Sequence, residues 1–169
     1  MKREIHMSEK LFVLGLALIL LFMLMHDWVS LGSLNDVDAI SSEKTTGELI
    51  QSILINAGQF LILMTITLIY IGKRYPIWAR LWLVIHLASI LYGAIASWWL
   101  PYFFGASQEM AESYHIMFGN THAFLPEMNG ITPNTIHVIF HFTLLLTLVL
   151  AIYIAATKGK IKSKAKLTA

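Results

Sequence analysis

Four long apolar runs, separated by shorter polar stretches, dominate the hydrophobic pattern of this chain. They cover approximately residues 10–31, 47–72, 77–104 and 133–157. A helix needs about 20 mostly apolar residues to cross the hydrocarbon core of a bilayer, and each run is long enough. The pattern therefore predicts an all-α fold, in which residues 1–169 form a single integral membrane four-helix bundle.

The polar segment between the third and fourth runs, about residues 105–132, is too long and too patterned for a simple connection. Met110, Tyr114, Met117 and Phe118 recur at the spacing of one helix face, which predicts a short amphipathic helix at the membrane surface. A proline and an Asn-Gly pair follow, and both signal turns. We expect this segment to fold over the end of the bundle, and we call it the lid.

Residues of capping type mark the expected helix ends. Thr45, with Glu48 three residues later, matches the capping box that begins a helix. Thr132 followed by Pro133 predicts the N-cap and first position of the fourth helix. Gly32 lies just past the first run, where a left-handed residue would end the first helix.

Composition supports the membrane assignment and excludes several kinds of site. The chain is 57% hydrophobic and only 13% charged, and the charged fraction is about half that of a soluble domain. It contains no cysteine, which excludes disulfides, iron–sulfur clusters and thiolate metal sites. The net charge of +2 is small, with the basic residues mostly near the chain ends and one loop, so nucleic acid is not an expected partner.

The distribution of basic residues predicts the orientation. Eleven of the twelve Lys and Arg residues lie on one side of the predicted bundle, and only Lys44 lies on the other. The positive-inside rule then puts both termini in the cytoplasm and the lid outside, in the plasma membrane. The lysine-rich tail, residues 158–169, is expected to bind anionic lipid of the inner leaflet.

A group of histidines with one carboxylate is the candidate site. His137 and His141 are four residues apart and therefore share a helix face. Counted from the helix ends, His26 and Asp27 fall at the same depth, near the lid. Asp27 lies close to the hydrocarbon boundary, where a bare carboxylate is costly, and the spans offer no Lys or Arg on that side. The available partners are His137, His141, or His122 and His115 of the lid, and we expect His122 to close the group.

This residue set suits a divalent metal such as Zn²⁺, for which two histidines and a carboxylate are adequate ligands. It also suits an acid/base pair or a small ligand in a polar pocket. A haem held by His26 and His141 also stays open. No glutamate follows His137, so the H-E-x-x-H motif of zinc peptidases is absent. Further polar residues are expected to line the pocket, namely Glu48, Ser52, Asn56, Tyr92, Ser97 and Asn134.

A second interpretation needs no ligand. Polar side chains in membrane bundles often hold helices together through hydrogen bonds, and the protein would then be a non-catalytic accessory or scaffold subunit. The sequence leaves open which interpretation holds and whether any reaction is catalysed. It also leaves open a protein partner and a homo-oligomer.

Two stretches carry a resemblance to a known group of proteins. MFGNTHAFLPEMNGITPNTIHVIFH, residues 117–141, and HDWVSLGSLND, residues 26–36, resemble segments of small four-span integral membrane proteins of bacteria. The resemblance implies a four-span bundle distinguished by its histidine region and lid. It implies no activity.

Overall fold

The computed structural model describes residues 4–157, and within that range the protein is all-α, with no β-strand. Four helical stretches are long and apolar enough to span a membrane, which confirms the predicted fold. The tail predicted to bind lipid, residues 158–169, lies outside the described residues. The helices are α1 (Met7–Met25), α2 (Val37–Glu43), α3 (Thr46–Tyr70), α4 (Ile77–Ala94), α5 (Leu100–Phe104), α6 (Gln108–Phe118) and α7 (Thr135–Thr157).

The bundle has two distinct ends. Residues 26–45 and 105–134 connect the spans at one end, which we call the lid end. The short turn of residues 71–76 lies at the opposite end. The third span continues from α4 through a π-helical turn, Ile95–Trp99, into α5.

The centre of the bundle is formed by α1 and α7. Helix α1 packs on both α3 and α7, and α7 also packs on α4. Phe12 and Leu16 of α1 and Leu144 of α7 are fully buried in the core. Gly15 allows the close approach of the two central helices, because a Cβ atom there would collide with the hydroxyl of Thr147.

The first helix ends earlier than its apolar run predicts, at Met25 rather than near residue 31. The side chain of Asn35 explains the difference. Its amide group donates to the carbonyl oxygens of His26 at 2.7 Å and Val29 at 2.8 Å, and its oxygen accepts the N–H of Leu31 at 2.7 Å. These bonds satisfy backbone groups that would otherwise need helical partners, so the chain can leave the helix here.

Capping at three helix ends agrees with the sequence prediction in one case. Thr45 and Glu48 form the predicted capping box of α3. The prediction of Thr132 as the cap of the fourth span is wrong, because the Asn134 side chain accepts the backbone N–H three residues later at 3.3 Å. Gly32 has a φ of 66° but begins a short 3₁₀ helix, Gly32–Leu34, beyond the end of α1, so it does not cap α1.

The first half of the lid contains the predicted amphipathic helix, α6, which Ser107 caps. Its apolar face packs on α2, a short helix that the sequence analysis did not predict. Met117 and Phe118 of α6 contact Ile40 of α2 in a small apolar cluster beside α3. The lid therefore packs against α2 as well as against the spans.

The second half of the lid is tied by hydrogen bonds to the rest of the lid end. The N–H of His122 donates to the carbonyl of Ser33 at 2.6 Å, and the N–H of Thr135 donates to the carbonyl of His122 at 2.9 Å. Tyr102 of α5 donates its hydroxyl to the carbonyl of Pro126 at 3.0 Å. These hydrogen bonds tie the lid to the other connection at this end and to the third and fourth spans.

Pro101 explains how α6 attaches to the third span. A proline has no N–H, so the carbonyl of Ser97, four residues earlier, has no α-helical partner. The hydroxyl of Tyr114 in α6 donates to this carbonyl at 2.7 Å. Burial raises the pKa of Tyr114 to about 12, so its phenol remains a neutral donor at ordinary pH.

Candidate functional site at the lid end

Four predicted site residues lie together at the lid end, His26, Asp27, His137 and His141, and we call them the His cluster. The ring centroid of His137 is 5.8 Å from that of His26 and 6.2 Å from that of His141. His26 and Asp27 follow the last turn of α1, and the other two lie in the first two turns of α7. All four are buried or half-buried.

The side chains of His26 and Asp27 face each other closely enough to share a proton or a metal cation. His26 Nδ1 lies 3.0 Å from the carbonyl oxygen of Phe22, which can only accept, so Nδ1 carries a proton. His26 Nε2 lies 3.2 Å from Asp27 Oδ1. A neutral ring would therefore point a lone pair at a carboxylate oxygen. A proton or another cation has to lie between these two atoms.

Asn134 fixes the orientation of His137. Its side-chain oxygen accepts the backbone N–H of His137 at 3.3 Å and lies 2.6 Å from His137 Nδ1. Because the amide oxygen is the acceptor in both bonds, Nδ1 is the donor and the neutral ring carries its lone pair on Nε2. Asn134 is only 1% exposed, so this orientation is set inside the protein. The residue thus positions a histidine, where the sequence analysis expected it to line a pocket.

His141 contains a buried polar atom without a partner. The residue is 5% exposed, and within residues 4–157 no group forms a hydrogen bond with its Nδ1 atom. An unpaired buried polar group costs about 1–3 kcal/mol, so native proteins rarely leave one without reason.

Aromatic side chains enclose the His137 ring, and we call Phe22, Trp98 and Phe118 the aromatic jacket. Trp98 stacks on the ring with centroids 4.5 Å apart and planes at 28°. Phe22 and Phe118 contact it edge-on, at 5.4 Å and 5.2 Å. None of these residues was predicted to belong to the site. The sequence does contain a signal for Trp98, because Pro101 predicts an irregular helix at that position.

The cavities at the lid end lie outside the His cluster. One, of about 20 Å³, lies within the lid itself, and its lining includes Tyr114, Phe118 and Glu127. That volume is roughly enough for one water molecule. A larger cavity of about 400 Å³ is lined by residues that include Asn35 and Asp36. No residue of the His cluster lines either cavity.

Three of the predicted lining residues lie on the surface. Glu48 is exposed, and its carboxylate accepts the N–H and the hydroxyl of Thr45, both at 2.8 Å, in the capping box. Tyr92 is 71% exposed. Ser97 is exposed, and its carbonyl binds the lid as described above. Their positions in the sequence place these residues near the lid end, but their side chains face away from the His cluster.

Ser52 and Asn56 belong to a different polar group. The Asn56 amide donates to the Ser52 hydroxyl at 3.0 Å, and Gln59 links Asn56 to His86 of α4. Their hydrogen bonds therefore lead towards the middle of the spans rather than to the His cluster.

His122, expected to close the cluster, lies outside it. The residue is exposed, and its Nδ1 atom lies 2.7 Å from the hydroxyl of Thr135. Together with its backbone bonds, this contact fastens the lid to the start of α7. Its ring is held at the protein surface by these bonds.

The His cluster, in this conformation, is not a complete metal site. Within residues 4–157, no three His, Asp or Glu side chains converge closely enough to hold a metal ion. His26 Nε2 and Asp27 Oδ1 alone offer two ligand atoms 3.2 Å apart. Two ligands of a tetrahedral zinc ion are separated by about 3.3 Å, so this pair has the spacing of one edge of such a site.

No family model, curated protein or solved structure matches the chain. Function is therefore inferred from the geometry of the lid end.

Proposed function

We propose that this multi-pass membrane protein binds one divalent cation, such as Zn²⁺, in the His cluster. The observation that carries the proposal is the 3.2 Å approach of His26 Nε2 to Asp27 Oδ1, two atoms that both present lone pairs when the ring is neutral. A divalent cation between them satisfies both atoms at once. It also supplies the positive partner that the buried carboxylate of Asp27 needs.

Hydrogen bonds at the Nδ1 atoms of two rings leave the Nε2 atoms in the orientation that a metal ion requires. A histidine that binds metal usually donates its other ring N–H to a carbonyl or carboxylate oxygen, which leaves the ligand nitrogen unprotonated. His26 donates in this way to Phe22, and His137 to Asn134. His137 is therefore the third ligand in this proposal, and its ring approaches the His26–Asp27 pair when the cation binds.

The unpartnered nitrogen of His141 fits the same proposal. Zinc sites that are not purely structural keep a fourth position for water. A water molecule bound to the cation would donate a hydrogen bond to His141 Nδ1, which has no partner among the described residues.

A haem held by His26 and His141 fits less well. His26 Nδ1 lies 3.0 Å from the carbonyl oxygen of Phe22, and His26 Nε2 lies 3.2 Å from Asp27 Oδ1. Neither nitrogen of the His26 ring therefore faces a space that could hold a macrocycle.

We further propose that the lid end faces the outside of the plasma membrane, with both termini in the cytoplasm. The support is the placement of eleven of the twelve Lys and Arg residues on the opposite side. A cation would then enter the His cluster from outside the cell. The lysine-rich tail would lie against anionic lipid of the inner leaflet.

The close aromatic packing around His137 favours a second candidate function, that of an accessory subunit without a ligand. The aromatic jacket is consistent with a group that only holds helices together. In that case His26 and Asp27 share a proton instead of a metal ion.

Thermal unfolding of the chelator-treated protein, with and without ZnCl₂, separates the two candidates. A ligand that binds only the folded state adds about 2.7 kcal/mol at 100 times its Kd, so zinc should raise the unfolding temperature of the wild type. His137→Ala should abolish this rise. His122→Ala removes an exposed histidine outside the cluster and should retain it. If zinc shifts the wild type and His137→Ala equally, or neither of them, the metal proposal is wrong.

A further inference from the structure

A second polar group, separate from the His cluster, lies between α3 and α4. Asn56 Nδ2 donates to Ser52 Oγ at 3.0 Å, Gln59 Nε2 donates to Asn56 Oδ1 at 3.3 Å, and Gln59 Oε1 lies 3.1 Å from His86 Nε2. We call these four residues the polar chain. At a rise of about 1.5 Å per residue, Asn56 and Gln59 lie roughly 15–20 Å from the start of α3, at the depth of the hydrocarbon core.

The polar chain uses only part of its hydrogen-bonding capacity. Each side-chain amide has two N–H donors, and Asn56 and Gln59 each use one of them with a partner among the described residues. The four residues are half-buried, so part of each is accessible from outside the bundle. Lipid tails offer no hydrogen bonds, and polar groups at this depth therefore normally face protein or water.

The α3–α4 side is also the open side of the bundle. Among the described residues, α3 packs on α1 and α4 on α7, whereas α3 and α4 make little contact along their lengths. Tyr92, near the middle of the third span, is 71% exposed and forms no hydrogen bond with a described residue. Gly93 beside it is open, since an added Cβ atom would meet nothing within 4 Å.

We propose that this α3–α4 face is a homodimer interface, covered by the same face of a second copy of the chain. The surface that covers this face has to supply hydrogen-bond donors and acceptors at the middle of the membrane. It should be uncharged there, because residues 49–66 and 81–99 contain no Lys, Arg, Asp or Glu to pair with a charge. Side-chain amides both donate and accept hydrogen bonds. The polar chain of one copy can therefore pair with the polar chain of a second copy. A two-fold axis along the membrane normal puts the two polar chains at the same depth.

The side chains around the polar chain suit this packing. Ser89 and Gly93 are small and exposed on α4, which allows two copies of α4 to approach closely. The exposed hydroxyl of Tyr92 then gains a partner in the second copy. A polar lipid or an unrelated membrane protein on this face would leave the chain monomeric after purification, and the tests below detect that outcome.

Cysteine cross-linking in native membranes tests the interface. The chain contains no cysteine, so a single introduced thiol reports on its own position only. Ser89→Cys should form a disulfide-linked dimer on mild oxidation. Leu18→Cys, on an exposed position of α1 that is 49% accessible, should not. Equal cross-linking at the two positions, or none at Ser89→Cys, would overturn the proposal.

A pair of glycine substitutions tests the same face without disturbing the monomer. Gly93→Leu should shift the purified protein from dimer to monomer in sedimentation experiments, because the new side chain meets nothing within the chain itself. Gly58→Leu is the matched control, since Gly58 is equally open but lies on a different face of α3 from the polar chain. It should remain dimeric. A monomeric wild type, or a Gly93→Leu variant as dimeric as the control, contradicts the proposed interface.

Discussion

At the scale of single residues, Asp27 determines the chemistry of the lid end. The sequence predicts a histidine partner, because a carboxylate near the hydrocarbon boundary needs one and the spans offer no Lys or Arg there. The partner in the structure is the adjacent residue, His26. Consecutive residues do not face each other on a helix, so this pair depends on α1 ending at Met25. The sequence could not identify the partner, because the early end depends on Asn35, nine residues after His26.

The variant Asp27→Asn distinguishes a cation site from a structural contact. The new amide can donate a hydrogen bond to His26 Nε2, so the contact survives without the negative charge. We expect the metal-free variant to unfold within about 1 kcal/mol of the metal-free wild type, in line with a retained hydrogen bond. Zinc should no longer raise its unfolding temperature, as measured by calorimetry. If zinc still stabilises Asp27→Asn as strongly as the wild type, Asp27 is not a ligand.

At the scale of elements, the lid shows what a local pattern can and cannot predict. Helix α6 follows from the spacing of its own apolar residues, and the structure contains it. Helix α2 was missed because it has only seven residues, VDAISSE, and few of them are apolar. Its stability comes from packing on α6, far along the chain, and no local pattern records such a contact.

Tyr114→Phe tests whether the bond to Ser97 holds the lid closed. Losing the hydroxyl leaves the Ser97 carbonyl without its partner, which typically costs about 1 kcal/mol. We expect faster amide hydrogen exchange across residues 108–118 in this variant. Tyr92→Phe is the control, because Tyr92 is exposed and lies outside the lid. Unchanged exchange in Tyr114→Phe would mean that the apolar packing alone holds α6.

The same bond gives the lid a dependence on alkaline pH. Burial raises the pKa of Tyr114 from 10.0 to about 12, so the docked phenol holds its proton more tightly than a free one. The contribution of this group is therefore complete below pH 10.0 and is lost as the pH rises towards about 12. Exchange in α6 should accelerate over that window in the wild type. The Tyr114→Phe variant should not show this acceleration, because it has no phenol to ionise.

At the scale of the whole molecule, the four spans were predictable because apolar length is a local property of each run. The pairing of the spans was not predictable in this way. Helices α3 and α4 are joined by a short turn, yet they make little contact along their lengths, and α1 and α7 from opposite parts of the chain form the centre. Polar residues at equal depth therefore separated into two groups, the His cluster and the polar chain, which the sequence pattern combined into one pocket.

The proposed orientation predicts opposite labelling of two positions. In the cysteine-free chain, Ser107→Cys in the lid should react with a membrane-impermeant thiol reagent added to intact cells. Ser163→Cys, in the tail outside the described residues, should react only after the membrane is opened. Labelling of position 163 in intact cells would reverse the orientation and put the His cluster on the cytoplasmic side.

Elemental analysis of the purified protein, loaded with zinc and then dialysed, tests the central proposal most directly. If the His cluster binds a cation, the wild type should retain close to one zinc ion per chain, and His137→Ala and Asp27→Asn should retain little or none. His86→Ala, which alters the polar chain only, should match the wild type. Folded wild-type protein that retains no zinc, or variants that retain as much as the wild type, would contradict the assignment of the His cluster as a metal site.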